Sequence, residues 1–475
     1  MKNWIIALAL LPLLLASTAT AQSVDSTSTF GLEEFLGWVR KQHPIMRQAA
    51  LLNRRAEVAI QGARGAFDPK AYGDYEDKSF DEKNYFRVGE AGLQLPTWLG
   101  ADFKVAYNWS SGIFLNPEFN LPVNGQAVLG IEIPLAQGLL FDERRAQVQM
   151  AQWMQEANAA QQRVIQNDLL LAASETYWQW AYHYELLLTY RSALSLAQNR
   201  LQLVRESYLQ GDVPEIDTVE TMIQVQNRQI EVQQALVDLQ NAGLELANFL
   251  WYDDIIPLEL QEGTVPQALF EEQWITPEWD EIAIRGIIQE HPELRQIGIK
   301  GEQLEIKERW KKEALKPDIR VSYNWLGEGF NLAPASEEQS RLNNLFTENY
   351  KWGVQLNYPL FLRKARSGLE EVRLEQIEND LKWRQKQLEL QNKNEAIFQQ
   401  LQTAVVQLGT QEQMVRNYET LLAAENEKFR VGESSVFLLN SREQKLIESQ
   451  LKWLKGQSEY QKLRQKLIWA QGRLQ

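Results

Sequence analysis

The hydrophobic positions of this chain follow two spacings, and each spacing predicts a different element. A seven-residue spacing runs through the C-terminal half, at Leu374, Ile377, Leu381 and Leu388 and then at Leu401, Leu408, Val415 and Leu422. Apolar residues that return in this way, with polar residues between them, form the narrow stripe of a coiled-coil helix. The pattern therefore predicts long helices that bury a seam and leave their other faces in water.

The breaks in this pattern divide the helical part into six spans. They cover residues 31–64, 140–210, 213–250, 282–314, 363–431 and 434–471. In each half of the chain, the two shorter spans together match the long one in length. At about 1.5 Å per residue, each such column is about 105 Å long. Helices of this length cannot fold around one compact core.

Between the helices the spacing changes to two, which is typical of strands with two different faces. In 103–109, for example, Phe103, Val105, Tyr107 and Trp109 share one face and Lys104, Ala106 and Asn108 share the other. Candidate strands cover 71–80, 85–95, 102–110, 126–134, 318–326 and 350–359. Two strands per half would give four per chain. The first half has an additional hairpin near Leu95-Pro96, which could extend a barrel, cap it or fold back into its lumen.

Alternation with aromatic residues at the strand ends is typical of membrane barrels, although half-buried soluble sheets also alternate. The leader segment, and a helical body with no core that could cover the sheet, favour strands that span a membrane. Open strand edges do not persist in lipid, so several copies would have to combine their strands. With four strands each, two copies give eight strands and three give twelve.

The two halves of the chain carry matching landmarks, which predicts an internal repeat. His43-Pro44 matches His291-Pro292, and Ile133-Pro134-Leu135 matches Tyr358-Pro359-Leu360. We place the first repeat at 22–250, with strands within 71–134, and the second at 282–475, with strands within 318–359. Residues 251–281, with Pro257, Pro266 and Pro277, are predicted to be an irregular connection at mid-height.

Composition narrows the class of protein. Residues 1–21 carry Lys2, an apolar run and Ala19-Thr20-Ala21, which is typical of a cleaved secretory signal. The apolar run has about eleven residues, too few to cross a bilayer as a helix. The chain has no cysteine, three histidines and a formal charge of −14. These features argue against disulfides, thiol chemistry, a metal site and nucleic acid as a partner.

Taken in order, these features resemble the TolC-like outer-membrane efflux proteins. The resemblance covers nearly all of 22–475 and includes the arginines after the strands, at Arg144-Arg145 and Arg363-Lys364-Ala365-Arg366. It implies a mainly α protein with β strands, in which a homotrimer forms a twelve-stranded outer-membrane barrel continued by a periplasmic α-helical coiled-coil tunnel. It also implies a periplasmic adaptor and an inner-membrane pump of the RND or ABC type as partners. Drugs, metal ions and proteins are the cargo classes, and the sequence does not choose among them.

The resemblance also carries over to the turns at the far end of the long helices. The positions that match the adaptor-docking tips of the family are Tyr208, Gly211, Val213, Phe429, Gly432 and Ser434. The two glycines are also explained simply as helix C-terminal residues with positive φ, and the same turn can serve both purposes.

Some relatives narrow the tip with two aspartates after the second glycine, and this chain has Leu438 and Ser441 there. The corresponding residues of the first half are Asp217 and Glu220, which are candidates for a constriction. Carboxylates around a symmetry axis would attract cations. The alternative is that they are acidic residues favoured by the helix dipole at a first turn.

Two other classes of protein are alternatives to a passive export channel. A secreted coiled-coil scaffold or adaptor would have the same helices, with a soluble sheet that never enters lipid. An enzyme is disfavoured, because the chain has no phosphate-binding GxxxxGK[ST] loop and no recognisable Ser or His pairing. We therefore expect no catalysis, no cofactor and no metal.

Overall fold

The structure, a computed structural model, describes residues 29–253, 255–261, 263–269, 274–278, 280–329 and 349–474. The predicted leader at 1–21 and part of the predicted connection at 251–281 lie outside these ranges. No helix within them is both long and apolar enough to cross a membrane.

Eight α-helices make up most of the described chain. They are α1 Leu32–Gln42, α2 Pro44–Arg64, α3 Glu143–Gln210, α4 Glu215–Ala247, α5 Glu281–Gln289, α6 Pro292–Glu313, α7 Arg363–Arg430 and α8 Val436–Ala470. The two long helices, α3 and α7, have 68 residues each. At the α-helical rise each is about 100 Å long.

The spans predicted at 31–64 and 282–314 are each divided in two at a His-Pro pair. Proline disfavours helix at the residue before it, and His43 and His291 accordingly have extended backbone angles. Each histidine caps the following helix: Nδ1 of His43 accepts from the Ile45 amide and Nδ1 of His291 from the Glu293 amide, both at 3.2 Å. Burial lowers the pKa of both side chains. The neutral ring that a capping acceptor requires is therefore favoured.

The helices pack side by side along their lengths. α2 and α4 contact α3, whereas α6 and α8 lie between α3 and α7 and contact both. The largest apolar cluster joins α1, the middle of α3 and the end of α4, around Phe35, Leu170, Tyr177 and Leu246. The core is thus a narrow layer between neighbouring helices, as the spacing predicted.

Two buried tyrosines attach the region after α4 to the helices. The Tyr177 hydroxyl, near the middle of α3, donates to the Phe30 carbonyl at 2.7 Å and accepts from the Gln267 amide at 2.9 Å. Burial raises the pKa of Tyr177 to about 12. In α8, the Tyr460 hydroxyl donates to the Ile275 carbonyl at 2.9 Å. The described part of 251–281 therefore contacts the helices far from both ends of α3.

In the described part of the chain, the strands form one large sheet and two small ones. The small pairs join β1 Thr29–Phe30 to β8 Val265–Pro266, and β6 Trp251–Tyr252 to β7 Ile256–Pro257. The large sheet contains β2 Lys70–Phe80, β3 Lys83–Pro96, β4 Asp102–Ser111, β5 Gln126–Pro134, β9 Asp318–Glu328 and β10 Tyr350–Asn357.

The large sheet has six strands in the order β10-β9-β5-β4-β3-β2, and each neighbouring pair is antiparallel. The described sheet therefore has two more strands than the four per chain expected for a barrel. The first half contributes four of these strands, and its outermost hairpin, β2–β3, continues the sheet because β3 pairs with β4 from Arg87 to Pro96. It neither folds away from the sheet nor covers it.

Candidate functional site

The large sheet has one apolar face and one polar face across its whole width. Residues in register lie on the same face, and one such row crosses all six strands at Ala71, Leu93, Val105, Leu129, Trp325 and Tyr350. The adjacent row, on the opposite face, consists of Lys70, Gln94, Lys104, Gly130, Asn324 and Lys351. The period of two therefore extends through most of β2 and β3, up to an Asp77–Arg87 ion pair on the apolar face and a register shift between Lys78 and Ser79.

The apolar face lies open to the surroundings in the single chain. Val105 is 44% exposed, Leu129 47% and Val354 58%. The other large apolar side chains exposed on this face are Tyr75, Leu93, Phe103, Trp109, Tyr350, Trp352 and Leu356. Contiguous apolar surface of this extent marks contact with lipid or with another chain.

The polar face is held together by charged groups that pair across strands. Glu90 accepts from the Tyr72 hydroxyl at 2.5 Å and pairs with the Lys104 ammonium at 2.6 Å, which joins β2, β3 and β4. Nearer the helices, the Arg320 guanidinium pairs with Glu132 at 3.1 Å and with Asp318 at 3.0 Å. These pairs are partly exposed, so they suit a surface in contact with water.

The junction between sheet and helices is built around two arginines. Asp142 caps α3 by accepting from the Arg145 amide at 2.9 Å. The Arg145 side chain binds the carbonyls of the turn before it, including Leu140 at 3.0 Å. Arg144 reaches the sheet and pairs with Asp102 at 3.0 Å. The charges fix the direction in which α3 leaves the strands.

At the opposite end of the long helices, α3 and α7 each end in a turn, and the two turns have the same geometry. Gly211 and Gly432 have φ of 83° and 78°. The Asp212 amide donates to the Ser207 carbonyl at 3.0 Å, and the Glu433 amide donates to Lys428 at 2.8 Å. Among the described residues, nothing lies within 4 Å of the position a Cβ would take at either glycine. The left-handed backbone, rather than close packing, therefore requires glycine here.

The predicted tip residues lie on and beside these two turns. Tyr208 is 41% exposed, and Phe429 and Val213 are half-buried. Ser434 donates to Glu425 at 2.5 Å. Asp217 is half-buried and lies in the first turn of α4. Glu220 accepts from Asn440 of α8 at 3.3 Å. Glu220 therefore joins α4 to α8 within the chain.

A buried polar network that was not predicted from the sequence lies just inside the tip. Arg200 of α3 forms an ion pair with Glu443 of α8 and donates to Asn440 at 3.2 Å. Arg228 of α4 donates to Gln444 of α8 at 2.7 Å. Arg228 and Glu443 are only 2% and 5% exposed, so these charges lie between the helices rather than on the solvated surface. The network connects the α3–α4 hairpin to α8.

A sequence signal for this network exists but is weak. Arg228 lies seven residues before Ala235 and three after Val225, both of which are buried in α4. A charge at such a seam position requires a partner, because burying an unpaired charge is costly. Spacing alone does not identify that partner when it lies more than two hundred positions away.

Neither a protein-family model nor a curated protein sequence matches this chain. Solved structures do. The outer membrane channel CmeC of Campylobacter jejuni is 11% identical, with a TM-score of 0.64 over 93% of this chain and 85% of that chain. VceC of Vibrio cholerae, an outer membrane protein, is 15% identical, with a TM-score of 0.63 over 93% and 96%.

The open state of the Neisseria gonorrhoeae MtrE outer membrane channel is 12% identical, with a TM-score of 0.67 over 94% of this chain and 89% of that chain. Identities this low establish the shape of the chain rather than its cargo or partners. Together with the two-faced sheet and the two glycine turns, they show that the chain has the fold of the TolC-like outer-membrane channels.

Proposed function

We propose that the protein is the outer-membrane channel subunit of a tripartite efflux or type I secretion system. Three copies would form a barrel in the outer membrane, continued by a helical tunnel in the periplasm. The channel would be a passive exit duct without catalysis, cofactor or metal. A periplasmic adaptor would join it to an inner-membrane pump of the RND or ABC type, which would supply the energy.

The observation that carries this proposal is the uncovered apolar face of the sheet. A soluble sheet buries its apolar face against helices or a second sheet. Here the large apolar residues of that face are exposed, while the opposite face carries paired charges. A barrel wall with lipid outside and water inside requires this arrangement. A secreted scaffold is not favoured, because its sheet would need a cover for that face.

The residues at the tip support the proposal that the channel couples to an adaptor. Tyr208, Val213, Phe429 and Ser434 lie beside the two glycine turns, where helices of a partner could pack between neighbouring hairpins. We propose that these turns dock the adaptor and that the two halves of the chain are copies of one unit. Asp217 and Glu220 remain candidates for a constriction near the axis.

Deletion and reconstitution test the channel. In planar bilayers, the purified protein should form water-filled pores of uniform conductance. Deleting the gene should change drug susceptibility, metal tolerance or the secreted-protein profile, and the cargo class follows from which of them changes. Deleting the pump as well should add no further defect. Absence of pores together with three unchanged phenotypes would contradict the proposal.

The docking role of the tip is testable with one substitution. Gly432→Val places a β-branched residue in the left-handed region, which costs at least about 1–2 kcal/mol locally. We expect weaker cross-linking to the adaptor and reduced export with the trimer intact. Gly409→Val is the matched control, because Gly409 is exposed on α7 and outside the turn. Unchanged cross-linking and export in Gly432→Val would remove the tip from the docking surface.

A further inference from the structure

The two outermost strands of the large sheet, β2 and β10, each have a free backbone edge among the described residues. β2 pairs only with β3, and β10 pairs only with β9. β2 is 11 residues long and β10 has 8. An exposed edge of this kind is a template for pairing with another chain, and in lipid each unpaired backbone group is costly. Both edges therefore need partners once the sheet enters a membrane.

The β2–β3 hairpin is packed into the sheet by specific contacts. At Gly89, a Cβ would lie 2.2 Å from the Trp109 ring of β4, so the ring occupies the space above β3. On the other face, Glu90 of β3 binds both Tyr72 of β2 and Lys104 of β4. A hairpin that merely capped the sheet would not require a glycine beneath a neighbouring ring.

The turn that joins β3 to β4 is also anchored at the helical end of the sheet. Trp98 in this turn lies against Phe67, with ring centroids 5.2 Å apart. Asp102, the first residue of β4, pairs with Arg144 of α3 at 3.0 Å. These contacts hold the root of the β2–β3 hairpin where the other strands meet the helices, so the hairpin continues the wall of the sheet.

The two free edges are complementary in strand direction and in the faces that they would continue. Neighbours across the whole sheet are antiparallel, so β2 and β10, at positions six and one of an even-numbered sheet, run in opposite directions. A β2 edge can therefore meet the β10 edge of a second copy as an antiparallel pair. The faces also agree: Ala71, Gly73 and Tyr75 of β2 would continue the apolar face beside Trp352 and Val354 of β10.

We infer that the β2 edge of each copy pairs with the β10 edge of the next, so that three copies close a barrel of eighteen strands rather than twelve. This inference rests on the proposed trimeric channel. Barrel diameter grows roughly linearly with strand number, so the bore would be about 1.5 times as wide as that of twelve strands. Barrels of sixteen to eighteen strands enclose an open aqueous channel. The paired charges of the polar face would line it.

Cysteine cross-linking tests this inference, since the native chain has no cysteine to interfere. Gln355→Cys on the polar face of β10 is combined with single cysteines at polar-face positions of β2, namely Tyr72, Asp74 and Glu76. Three positions allow for the unknown register between copies. The matched set places the second cysteine on the polar face of β4, at Lys104, Ala106 and Asn108. β4 is the strand that would lie at the edge if the β2–β3 hairpin left the wall.

Each variant is first shown to form an outer-membrane trimer and is then oxidised in the membrane. We expect disulfide-linked dimers and trimers from at least one β2 pair and none from the β4 set. Links from the β4 set, or no links from either set in a trimeric outer-membrane protein, would overturn the eighteen-stranded barrel and leave the channel proposal standing. A native protein that is soluble and monomeric would instead overturn the proposed function itself.

Discussion

The first and second parts of α7 carry the same seven-residue spacing of apolar residues but differ in what covers it. Leu401, Leu408 and Val415 are buried, and Leu401 and Leu408 pack in a cluster with Tyr460 of α8. Leu381 and Leu388, nearer the sheet, are 60% and 57% exposed. The apolar face of the sheet is uncovered in the same way. Apolar spacing therefore identifies a surface to be buried without identifying its partner.

This difference divides the molecule into surfaces that one chain completes and surfaces that it leaves open. The stripe near the tip stabilises the single chain. The stripe near the sheet and the apolar face of the sheet require other copies and lipid under the proposed function. Substitutions on the two kinds of surface should therefore affect different measurements.

The largest effect is expected on the covered stripe. Leu408→Ala removes a side chain that is 1% exposed, and buried leucine to alanine changes cost about 2–5 kcal/mol. Chemical unfolding of the detergent-extracted protein, followed by helical circular dichroism, should show this loss. A loss below about 1 kcal/mol would mean that α8 does not cover this stripe.

The next effect concerns the apolar face of the sheet. Val105→Arg places a charge on that face, which costs about 2–4 kcal/mol at the middle of a bilayer. We expect little protein to fold into the outer membrane. Asn108→Arg is the control on the polar face of the same strand, where Glu90 lies directly opposite in the register. Equal membrane yields for the two variants would argue that the apolar face does not meet lipid.

A smaller effect is expected on the open stripe of α7. Leu381→Ala should leave the unfolding of the chain nearly unchanged, because little surface is buried there in one copy. It should lower the temperature at which the trimer dissociates, since a fully buried leucine contributes about 1.5–3 kcal/mol. Dissociation on detergent gels measures this. If Leu381→Ala and Leu408→Ala affected the two assays equally, the distinction between the stripes would be lost.

The smallest effect is a pH dependence within the covered helical body. Burial lowers the pKa of His43 and His291, so the unfolded chain binds protons more readily than the folded chain. Stability should be complete above the ordinary pKa of about 6.5 and fall as the pH decreases toward the lowered values. Each cap contributes about 1 kcal/mol.

The matched variant for the pH dependence is the double substitution His43→Asn and His291→Asn, which keeps a capping acceptor that does not titrate. The melting temperature of the native protein should fall more than that of the variant between pH 7.5 and pH 5.5. Identical shifts would show that the two caps do not sense pH.

Much of this fold is readable from the sequence, for physical reasons. The spacings of seven and two predict the helices and strands, but the predicted spans 31–64 and 282–314 run through His43 and His291, where the following proline breaks the helix. The glycine turns follow from the loss of apolar spacing at Gly211 and Gly432. The pairing of β3 with β4 and the partners of Arg200 and Arg228 could not be predicted from the sequence, because they depend on residues that only the fold brings together. The alternation within β2 and β3 is the same whether the hairpin continues the wall or folds back.

A trimeric outer-membrane channel is tested most directly by where the protein resides and how many copies assemble. Inner membrane, outer membrane and soluble fractions can be separated from cells, and the extracted protein can be weighed by native mass spectrometry. A channel formed by three copies requires that the protein is in the outer membrane as a trimer with no detectable soluble pool. A monomer in the soluble periplasmic fraction would contradict it.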